Sequence, residues 1–303
     1  MRECPAAVIG ATGFIGSRLM PALTGAGHPV AWFNSARPPV AHGRAAPGLC
    51  EAETVFFLAA RLNPLLAERQ PDQVVAERRL LNTVLAELAR CGRRPVFVLA
   101  SSGGTVYGLD AAPPFAESAP TGPTSAYGRA KLQLERDLLG HADAVQPVVM
   151  RLSNVYGPSQ QPEPGYGVLA HWLTAAVRNE PIQLFGDPRV VRDYVYVDDV
   201  ASVLEAVHRR VAAGTADGIP DVANVGSGVP TSLAELLDTV AAVVGRELVV
   251  TREGGRQFDQ RGNYLDSSLA HATLDWRATT TLTDGVRQCW DHILARHVNP
   301  TRV

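Results

Sequence analysis

The sequence predicts an α/β fold built on a parallel sheet with helices on both faces. Three observations predict it: short apolar runs, helical patterns that alternate with them, and a glycine-rich turn that joins the first run to the first helix. Continuous apolar runs are typical of strands that are buried on both faces, as in a parallel sheet. The 303 residues correspond to about two domains, and we expect a larger N-terminal unit followed by a smaller α/β lobe.

The elements follow in chain order from the apolar pattern. A strand at 6–9 leads through the glycine turn into a helix with one apolar face formed by Ile15, Leu19, Met20 and Leu23. The other predicted strands are 30–33, 55–60, 95–100, 148–152, 190–200 and 221–225, and the other predicted helices are 72–91, 125–140, 167–180 and 232–245. The proline- and glycine-rich segment 157–166 predicts a loop between units 1–155 and 156–303. We expect the strands near 190–200 and 221–226 to complete the first sheet.

The composition disfavours several classes of protein. A formal charge of −2 is not that of a chain that coats nucleic acid. No apolar run reaches the roughly 18 residues of a membrane span, and the first residues lack a signal-peptide pattern, so we expect a cytoplasmic protein. The eight histidines form no metal-binding cluster, and we expect no metal. The four cysteines are far apart and are expected to be reduced thiols: Cys4, Cys50, Cys91 and Cys289.

The turn after the first strand has the spacing of a dinucleotide site. Gly10, Gly13 and Gly16 form a G-x-x-G-x-x-G pattern that directly follows a strand and opens a helix. Glycines allow the backbone to turn tightly and to approach a pyrophosphate, which then lies at the helix N-terminus. The alternative is a tight turn without a ligand, which the position between strand and helix disfavours.

The end of the second strand bears on the choice of dinucleotide. An acidic residue there binds the adenosine ribose of NAD, whereas an arginine accommodates the 2′-phosphate of NADP. Phe33 is followed by Asn34, Ser35 and Arg37, with no acid among them. These three side chains can bind a phosphate. The sequence therefore favours NADP(H), with NAD as the alternative if Arg37 is only a solvated loop residue.

A tyrosine and a lysine four residues apart form the candidate catalytic pair. Lysine and arginine together number 28, and Lys131 is the only lysine. Tyr127 and Lys131 lie on one face of a predicted helix. A free tyrosine has a pKa of about 10, and we expect the nearby ammonium to lower that pKa so that the phenol acts as acid or base near neutrality. The alternative is an ordinary pair on a helix surface.

These motifs resemble those of the extended short-chain dehydrogenase/reductases that act on nucleotide sugars, in the NAD-dependent epimerase/dehydratase family. The resemblance runs nearly end to end and rests on residues 10–16, 57–60 (FLAA), 101–108 (SSGGTVYG), 127–131, 151–158 (RLSNVYGP), 191–200 (VRDYVYVDDV) and 224–228 (NVGSG). It implies a Rossmann-type doubly wound parallel sheet with a C-terminal α/β substrate lobe. The implied cofactor contacts are Gly10, Gly13, Phe14, Ile15, Gly16, Asn34, Ser35, Arg37, Leu58, Ala59, Ala60, Ser101, Tyr127 and Lys131.

The resemblance also assigns catalytic roles. The tyrosine moves a proton at a sugar oxygen, and the lysine binds the nicotinamide ribose and tunes the tyrosine. A serine or threonine four residues before the tyrosine of the V-Y-G motif assists, but this chain has Gly103 there. Thr105 is the replacement we prefer, and Ser102 is the other. The Asp-Glu pair of the dehydratases is replaced by Gly104 and Thr105, which disfavours dehydration.

The substrate contacts are likewise implied by resemblance. Asn154 would contact a diphosphate, and Arg192 and Arg256 would hold its phosphates, with Arg252 as an alternative to Arg256. Phe185 lies where a nucleobase would pack. Three nearby acidic residues are interpreted as fold contacts rather than metal ligands: Asp193, Asp198 and Asp199.

Three functions follow as hypotheses. The first is an NADPH-dependent reductase that acts on the C4 ketone of a 4-keto-6-deoxy nucleotide sugar, with a dTDP-sugar as first choice, in deoxysugar and natural-product biosynthesis. Arg37 favours it, and residues 75–78 and 265–268 look like those of actinomycete deoxysugar 4-ketoreductases. The second is an NAD-dependent UDP-hexose 4-epimerase, which SSGGTVYG favours and the missing acid disfavours. The third is a non-catalytic dinucleotide sensor, against which the intact Tyr127–Lys131 pair argues.

The same resemblance predicts a homodimer. Members of the family often pair through the two helices that here would be 72–91 and 125–140. We expect Leu132 and Leu138 to contribute to the apolar outward faces, although a helix that packs on its own sheet also needs such residues.

Overall fold

The computed structural model describes residues 3–60, 62–254 and 262–298. Its strands are β1 (Ala6–Ile9), β2 (Val30–Phe33), β3 (Val40–Ala41), β4 (Arg44–Ala45), β5 (Thr54–Phe57), β6 (Val96–Ser102), β7 (Gln146–Leu152), β8 (Asn154–Tyr156), β9 (Ile182–Phe185), β10 (Val191–Tyr196), β11 (Val222–Val225), β12 (Pro230–Ser232), β13 (Val250–Glu253) and β14 (Gly262–Asn263). Its helices are α1 (Gly16–Gly25), α2 (Pro64–Arg69), α3 (Pro71–Cys91), α4 (Ala126–Leu139), α5 (Val168–Val177), α6 (Val197–Ala212), α7 (Leu233–Val244), α8 (Ser268–Leu274) and α9 (Leu282–Val298), with a short 3₁₀ turn at Ala216–Gly218.

A six-stranded parallel sheet forms the centre of the molecule, in the order β11-β7-β6-β5-β1-β2. The chain passes from β1 to β2 on one side and then to β5 on the other, so the strand order reverses at β1. In open parallel sheets, ligands bind outside the carboxyl ends of the strands at such a reversal point. A ligand is therefore expected at the turns that follow β1, β2 and β5.

Both faces of this sheet are covered, as the continuous apolar runs predict. Alternate residues of β1 point to opposite faces, so Ala6 and Val8 pack with Leu19 and Leu23 of α1 and with residues of α6 and α8. The opposite face, which includes Ile9, packs against α3 and α4. The doubly wound fold predicted from the sequence is confirmed.

A second sheet corrects one part of the prediction. Strand β11 does join the six-stranded sheet, but β10 pairs with β8, β12 and β14 instead. The strand predicted at 190–200 also ends at Tyr196, because Val197 begins α6. The apolar run continues through both elements, since the buried face of α6 is as apolar as the strand before it. The rest of the C-terminal lobe packs around Trp172, Leu173 and Leu236.

Other expectations have mixed outcomes. Cys50 and Cys91 form a disulfide between the segment before β5 and the end of α3, which is contrary to the expectation of four thiols. Cys4 and Cys289 are buried thiols. Leu132 and Leu138 are buried inside the chain and so do not form an outward face. No helix among the described residues is long and apolar enough to cross a membrane. The cytoplasmic location stays a prediction.

Candidate functional site

The glycine turn is shaped by close backbone contacts. Gly10 has a φ of +94°, and a Cβ on it would lie 2.7 Å from the main-chain nitrogen of Ala59. A Cβ on Gly16 would overlap the carbonyl oxygen of Gly10, and the main-chain nitrogen of Gly13 donates to that same oxygen at 3.0 Å. Only glycine fits the two crowded positions, so the turn places the N-terminus of α1 directly beyond β1.

The segment after β5 completes a cradle beside this turn. The Leu58 main-chain nitrogen donates to the Ile9 carbonyl at 2.8 Å, so residues 58–60 continue alongside β1 where the glycine turn begins. Leu58 and Ala59 are partly buried and Ala60 is exposed. Backbone nitrogens at a helix N-terminus beside a small-residue wall are suited to a dinucleotide pyrophosphate. The residues present fit such a cofactor.

The turn after β2 presents an arginine and no acid. The Arg37 guanidinium stacks over the Trp32 ring, 4.7 Å from its centroid. The Asn34 side-chain oxygen accepts from the main-chain nitrogens of Ala36 at 3.0 Å and Arg37 at 2.9 Å, so it holds the turn, and the predicted contact of Asn34 with a cofactor stays a prediction. Ser35 and Arg37 are exposed. Within the described residues, the Arg37 guanidinium makes no ion pair with a carboxylate.

Helix α4 brings Tyr127 and Lys131 to the carboxyl end of β6. The Ser125 side chain caps the helix by accepting from the Gly128 main-chain nitrogen at 3.1 Å. A Cβ on Gly128 would overlap the Thr105 carbonyl, so glycine lets the helix approach the loop after β6. The Lys131 ammonium lies 5.6 Å from the centroid of the Tyr127 ring. Its partner is Glu77 of α3, whose Oε1 accepts from Nζ at 2.8 Å.

The electrostatics of the pair differ from the expectation. Burial is the largest effect and raises the pKa of Tyr127 above its ordinary value; Lys131 lowers it, and the Glu77 carboxylate raises it again. The predicted net lowering of the Tyr127 pKa is not found in this arrangement, because burial outweighs the effect of the ammonium and Glu77 adds to the effect of burial. Burial opposes the charge on Lys131, but Glu77 and Tyr127 outweigh it and raise the Lys131 pKa. The lysine is a cation and the tyrosine a neutral phenol at pH 7.

Leu265 explains the missing serine or threonine at Gly103. A Cβ on Gly103 would lie 2.5 Å from Leu265 Cδ1 and 3.1 Å from the Arg151 carbonyl. Leu265 is buried, so a larger side chain at 103 has no room. The hydroxyl of Thr105 is buried and has no hydrogen-bond partner among the described residues. An orphaned buried hydroxyl beside α4 fits the assisting role predicted for Thr105, although Thr105 and Ser102 are both partly buried as residues.

Ser101 belongs to a buried network rather than to an open surface. Its hydroxyl donates to Glu135 of α4, and the Arg151 Nη2 binds the other Glu135 oxygen at 2.7 Å. Arg151 Nη1 also donates to the Tyr107 hydroxyl at 3.2 Å, which donates to Asn224 Oδ1 at 2.6 Å. The Ser101 hydroxyl therefore holds the fold, and the predicted contact of Ser101 with a cofactor stays a prediction.

The substrate-side residues are only partly brought together. Asn154 of β8 donates from Nδ2 to the Asp193 carbonyl at 3.0 Å, next to Arg192 of β10. The partly buried Arg192 donates to the Val191 carbonyl at 2.9 Å. Phe185 is half-exposed in the separate β9–β13 pair, which also carries the exposed Arg252. Arg256 lies outside the described residues.

The three acidic residues hold the fold as interpreted. Asp193 accepts from the main-chain nitrogens of Ser227 and Leu265 at 2.8 and 3.2 Å. Asp199 accepts from Thr280 at 3.0 Å, and Asp198 pairs with Arg18. In the described ranges, no group of His, Cys, Asp and Glu could hold a metal ion.

Sequence reasoning missed two side chains beside the candidate catalytic pair, Tyr127 and Lys131. Glu77 stood in a segment noted only for its likeness to reductases, and Tyr166 was assigned to a loop. The Tyr166 phenol interacts electrostatically with Tyr127 and Lys131. The only signal for Glu77 in the sequence was an acidic residue at an inward-facing helix position. The sequence could not show that its partner is Lys131 on another helix.

Comparison with known proteins now identifies the family. Residues 6–226 match the model of the NAD-dependent epimerase/dehydratase family. The chain belongs to this family. A UDP-glucose 4-epimerase of Mycolicibacterium smegmatis is 33% identical over 303 residues, 92% of this chain and 95% of that protein. A dTDP-4-dehydro-6-deoxyglucose reductase of Escherichia coli is 28% identical, over 77% of this chain and 72% of that protein.

A solved structure agrees with this placement. The UDP-glucose 4-epimerase of Thermus thermophilus, solved in complex with NAD, is 26% identical and superposes with a TM-score of 0.82 over 96% of this chain and 99% of that chain. The resemblance predicted from the motifs is confirmed, and with it an NAD(P)-dependent enzyme of the extended short-chain dehydrogenase/reductase type. A non-catalytic sensor is correspondingly disfavoured.

Proposed function

We propose that this enzyme reduces the C4 ketone of a 4-keto-6-deoxy nucleotide sugar with NADPH, a dTDP-sugar being the first choice, in deoxysugar biosynthesis. The observation that carries the proposal is Arg37 at the end of β2, stacked on Trp32 and without an ion pair to a carboxylate among the described residues. A stacked, unpaired guanidinium is suited to two oxygens of a 2′-phosphate. A relative named as a dTDP-4-dehydro-6-deoxyglucose reductase also supports the proposal.

The geometry indicates what each residue would do. The nicotinamide supplies the hydride when it is bound. Tyr127, held as a neutral phenol by burial and Glu77, would donate its proton to the C4 oxygen, so that ketone, hydride and proton give an alcohol. The orphaned hydroxyl of Thr105 would donate a hydrogen bond to the same oxygen, and Lys131 would bind a ribose hydroxyl. The turn at 10–16 would receive the pyrophosphate at the N-terminus of α1.

Cofactor titration tests this proposal. We expect the protein to bind NADPH more tightly than NADH and to oxidise NADPH, followed at 340 nm, with dTDP-4-keto-6-deoxyglucose as the probe. Arg37→Ala should weaken NADPH binding about tenfold or more, the effect of one charged hydrogen-bonding contact, and leave NADH binding unchanged. Arg44→Ala, an exposed arginine of the neighbouring hairpin, is the matched control. Equal loss in both variants contradicts the role of Arg37.

A second candidate is a nucleotide-sugar 4-epimerase that uses NAD. The 33% identity to a named UDP-glucose 4-epimerase favours it. NAD that remains bound in stoichiometric amount through purification, together with interconversion of UDP-glucose and UDP-galactose, would select this function and make Arg37 irrelevant to the cofactor.

We also propose that the enzyme is a homodimer formed through α3 and α4. Val75 of α3 and Leu139 at the end of α4 are 55% and 37% exposed, which gives this side of the molecule apolar surface of its own. Light scattering of the purified protein should give twice the chain mass, and a monomer mass contradicts the proposal.

A further inference from the structure

The buried carboxylate of Glu77 has a single partner among the residues that the structure describes. Its side chain is 5% exposed, and Oε1 accepts from Lys131 Nζ at 2.8 Å. The other oxygen, Oε2, is buried and has no partner in the described part of the chain. An isolated buried carboxylate is strongly disfavoured. Lys131 is therefore the contact that accounts for an acid at this position of α3.

The Lys131 ammonium is equally dependent on Glu77. Its side chain is 3% exposed, and an unpartnered buried lysine loses its proton readily. The chain has arginine at every other long basic position, yet a compact ammonium stands here. An ammonium has three N–H donors. One of them can bind Glu77 while the other two remain available to a cofactor ribose, and the positive charge stays beside Tyr127.

Glu77 and Lys131 act on Tyr127 in opposite directions. The ammonium lowers the pKa of Tyr127 and the carboxylate raises it, while burial, the largest effect, raises it as well. The other ionisable groups around the pair are Tyr166, which interacts with both Tyr127 and Lys131, and Glu163 next to Tyr166. Glu68 of α2 accepts from the Ala126 main-chain nitrogen at 2.8 Å at the start of α4.

A protonated phenol suits one direction of the chemistry. Reduction of a ketone needs a proton donor, whereas the first step on a sugar alcohol needs a proton acceptor. An ammonium without a carboxylate partner would favour the phenolate of the tyrosine, which is the proton acceptor. An ammonium whose charge is offset by a carboxylate leaves the tyrosine as a phenol, which is the proton donor.

We propose that Glu77 is a positioning residue that fixes the Lys131 ammonium beside Tyr127 and offsets its charge, so that the pair is set to donate a proton to a ketone. The inference rests on the proposed reductase function for its direction. It goes beyond that function because it assigns to α3 a group that touches neither the substrate nor the cofactor.

The single lysine makes a direct test available without any turnover. Protein labelled with ¹³C at lysine Cε gives one side-chain signal, from Lys131. In the cofactor-stripped wild type we expect this signal to remain that of a charged ammonium up to about pH 10. In Glu77→Gln we expect it to titrate below the ordinary lysine pKa of about 10.4, because burial is then opposed only by Tyr127 and Tyr166, whose phenols hold the ammonium only where they ionise. Glu87→Gln removes another buried carboxylate of α3, one paired with Arg90, and should leave the signal unchanged.

The pH profile of ketone reduction tests the claim that Glu77 keeps Tyr127 in its proton-donating form. Loss of Glu77 lets both Lys131 and Tyr127 release their protons at lower pH. The alkaline limb of kcat for dTDP-4-keto-6-deoxyglucose reduction should therefore move down by at least about one pH unit in Glu77→Gln. Glu77→Asp keeps the charge but is one methylene shorter, so its limb should move in the same direction by less. Glu87→Gln should keep the wild-type limb.

The outcomes separate the two claims. An unchanged lysine signal in Glu77→Gln overturns the inference, as does a shifted signal with an unmoved alkaline limb, which would make Glu77 purely structural. A wild type that reduces no 4-keto sugar overturns the proposed function, and the lysine titration still decides whether Glu77 holds Lys131. If Glu77→Gln does not fold, Glu77→Asp carries both measurements, and a wild-type result from it overturns the inference.

Discussion

Helix α4 carries two buried charges one turn apart, and the structure surrounds them differently. Glu135 is saturated: both of its oxygens accept from Arg151, and Ser101 donates as well. Lys131 has one carboxylate partner, Glu77, whose second oxygen has no partner among the described residues. A saturated network is explained by the fold alone, whereas polar capacity left unused inside the protein is where a ligand or a reaction is to be sought.

The largest loss of stability is expected when the saturated Glu135–Arg151 pair is disrupted. Arg151→Met leaves Glu135 charged and buried, and it removes a donor from Tyr107. Breaking such a pair costs about 3–5 kcal/mol, so we expect a loss of that size in the free energy of unfolding, measured with urea. Arg136→Met, at an exposed arginine of the same helix, should change it by less than about 0.5 kcal/mol. Similar values for both would show that the network does not stabilise the fold.

At the open pair, the largest effect should be on rate. Tyr127→Phe removes the proton donor and keeps the ring, and general acid catalysis contributes about 10²–10⁴-fold. We expect kcat for ketone reduction to fall by that factor while NADPH binding, measured by fluorescence titration, stays near wild type. Activity that survives this change would remove Tyr127 from the mechanism.

The unpartnered hydroxyl gives a smaller, discriminating effect. Thr105→Val keeps the shape and deletes the orphaned hydroxyl, and a lost hydrogen bond of about 1.5 kcal/mol corresponds to roughly tenfold in kcat. Ser102→Ala should leave kcat within about twofold, since its hydroxyl is not expected to contact the reacting oxygen. The reverse result would assign the assisting role to Ser102.

The smallest change in stability is expected when both charges of the Glu77–Lys131 pair are replaced, which distinguishes this pair from the Glu135–Arg151 pair. Replacement of both charges in Lys131→Met with Glu77→Leu leaves no buried charge behind, and such swaps are often neutral. We expect an unfolding free energy within about 1 kcal/mol of wild type but a large loss of kcat. An equally large loss of stability would mean that this pair serves the fold as the Glu135–Arg151 pair does.

Local patterns carried most of the prediction. The G-x-x-G-x-x-G spacing, the apolar runs and the four-residue spacing of Tyr127 and Lys131 each depend on neighbours in the chain, so they could be read directly. The strand at 190–200 was given the wrong sheet, because an apolar run does not say which strand it pairs with. The disulfide between Cys50 and Cys91 was missed for the same reason: the two residues lie far apart in sequence.

By itself, the sequence determined the doubly wound sheet, the place of the glycine turn and the choice of Tyr127 and Lys131 as the candidate pair. Periodicity and glycine spacing report on a backbone that is fixed within a few residues. Only the tertiary structure decided how these groups are tuned. It brought Glu77 from α3 to Lys131 of α4, filled the space at Gly103 with Leu265, and turned Ser101 toward Glu135. Charge, burial and excluded volume depend on residues that are distant in the chain, and only packing brings them together.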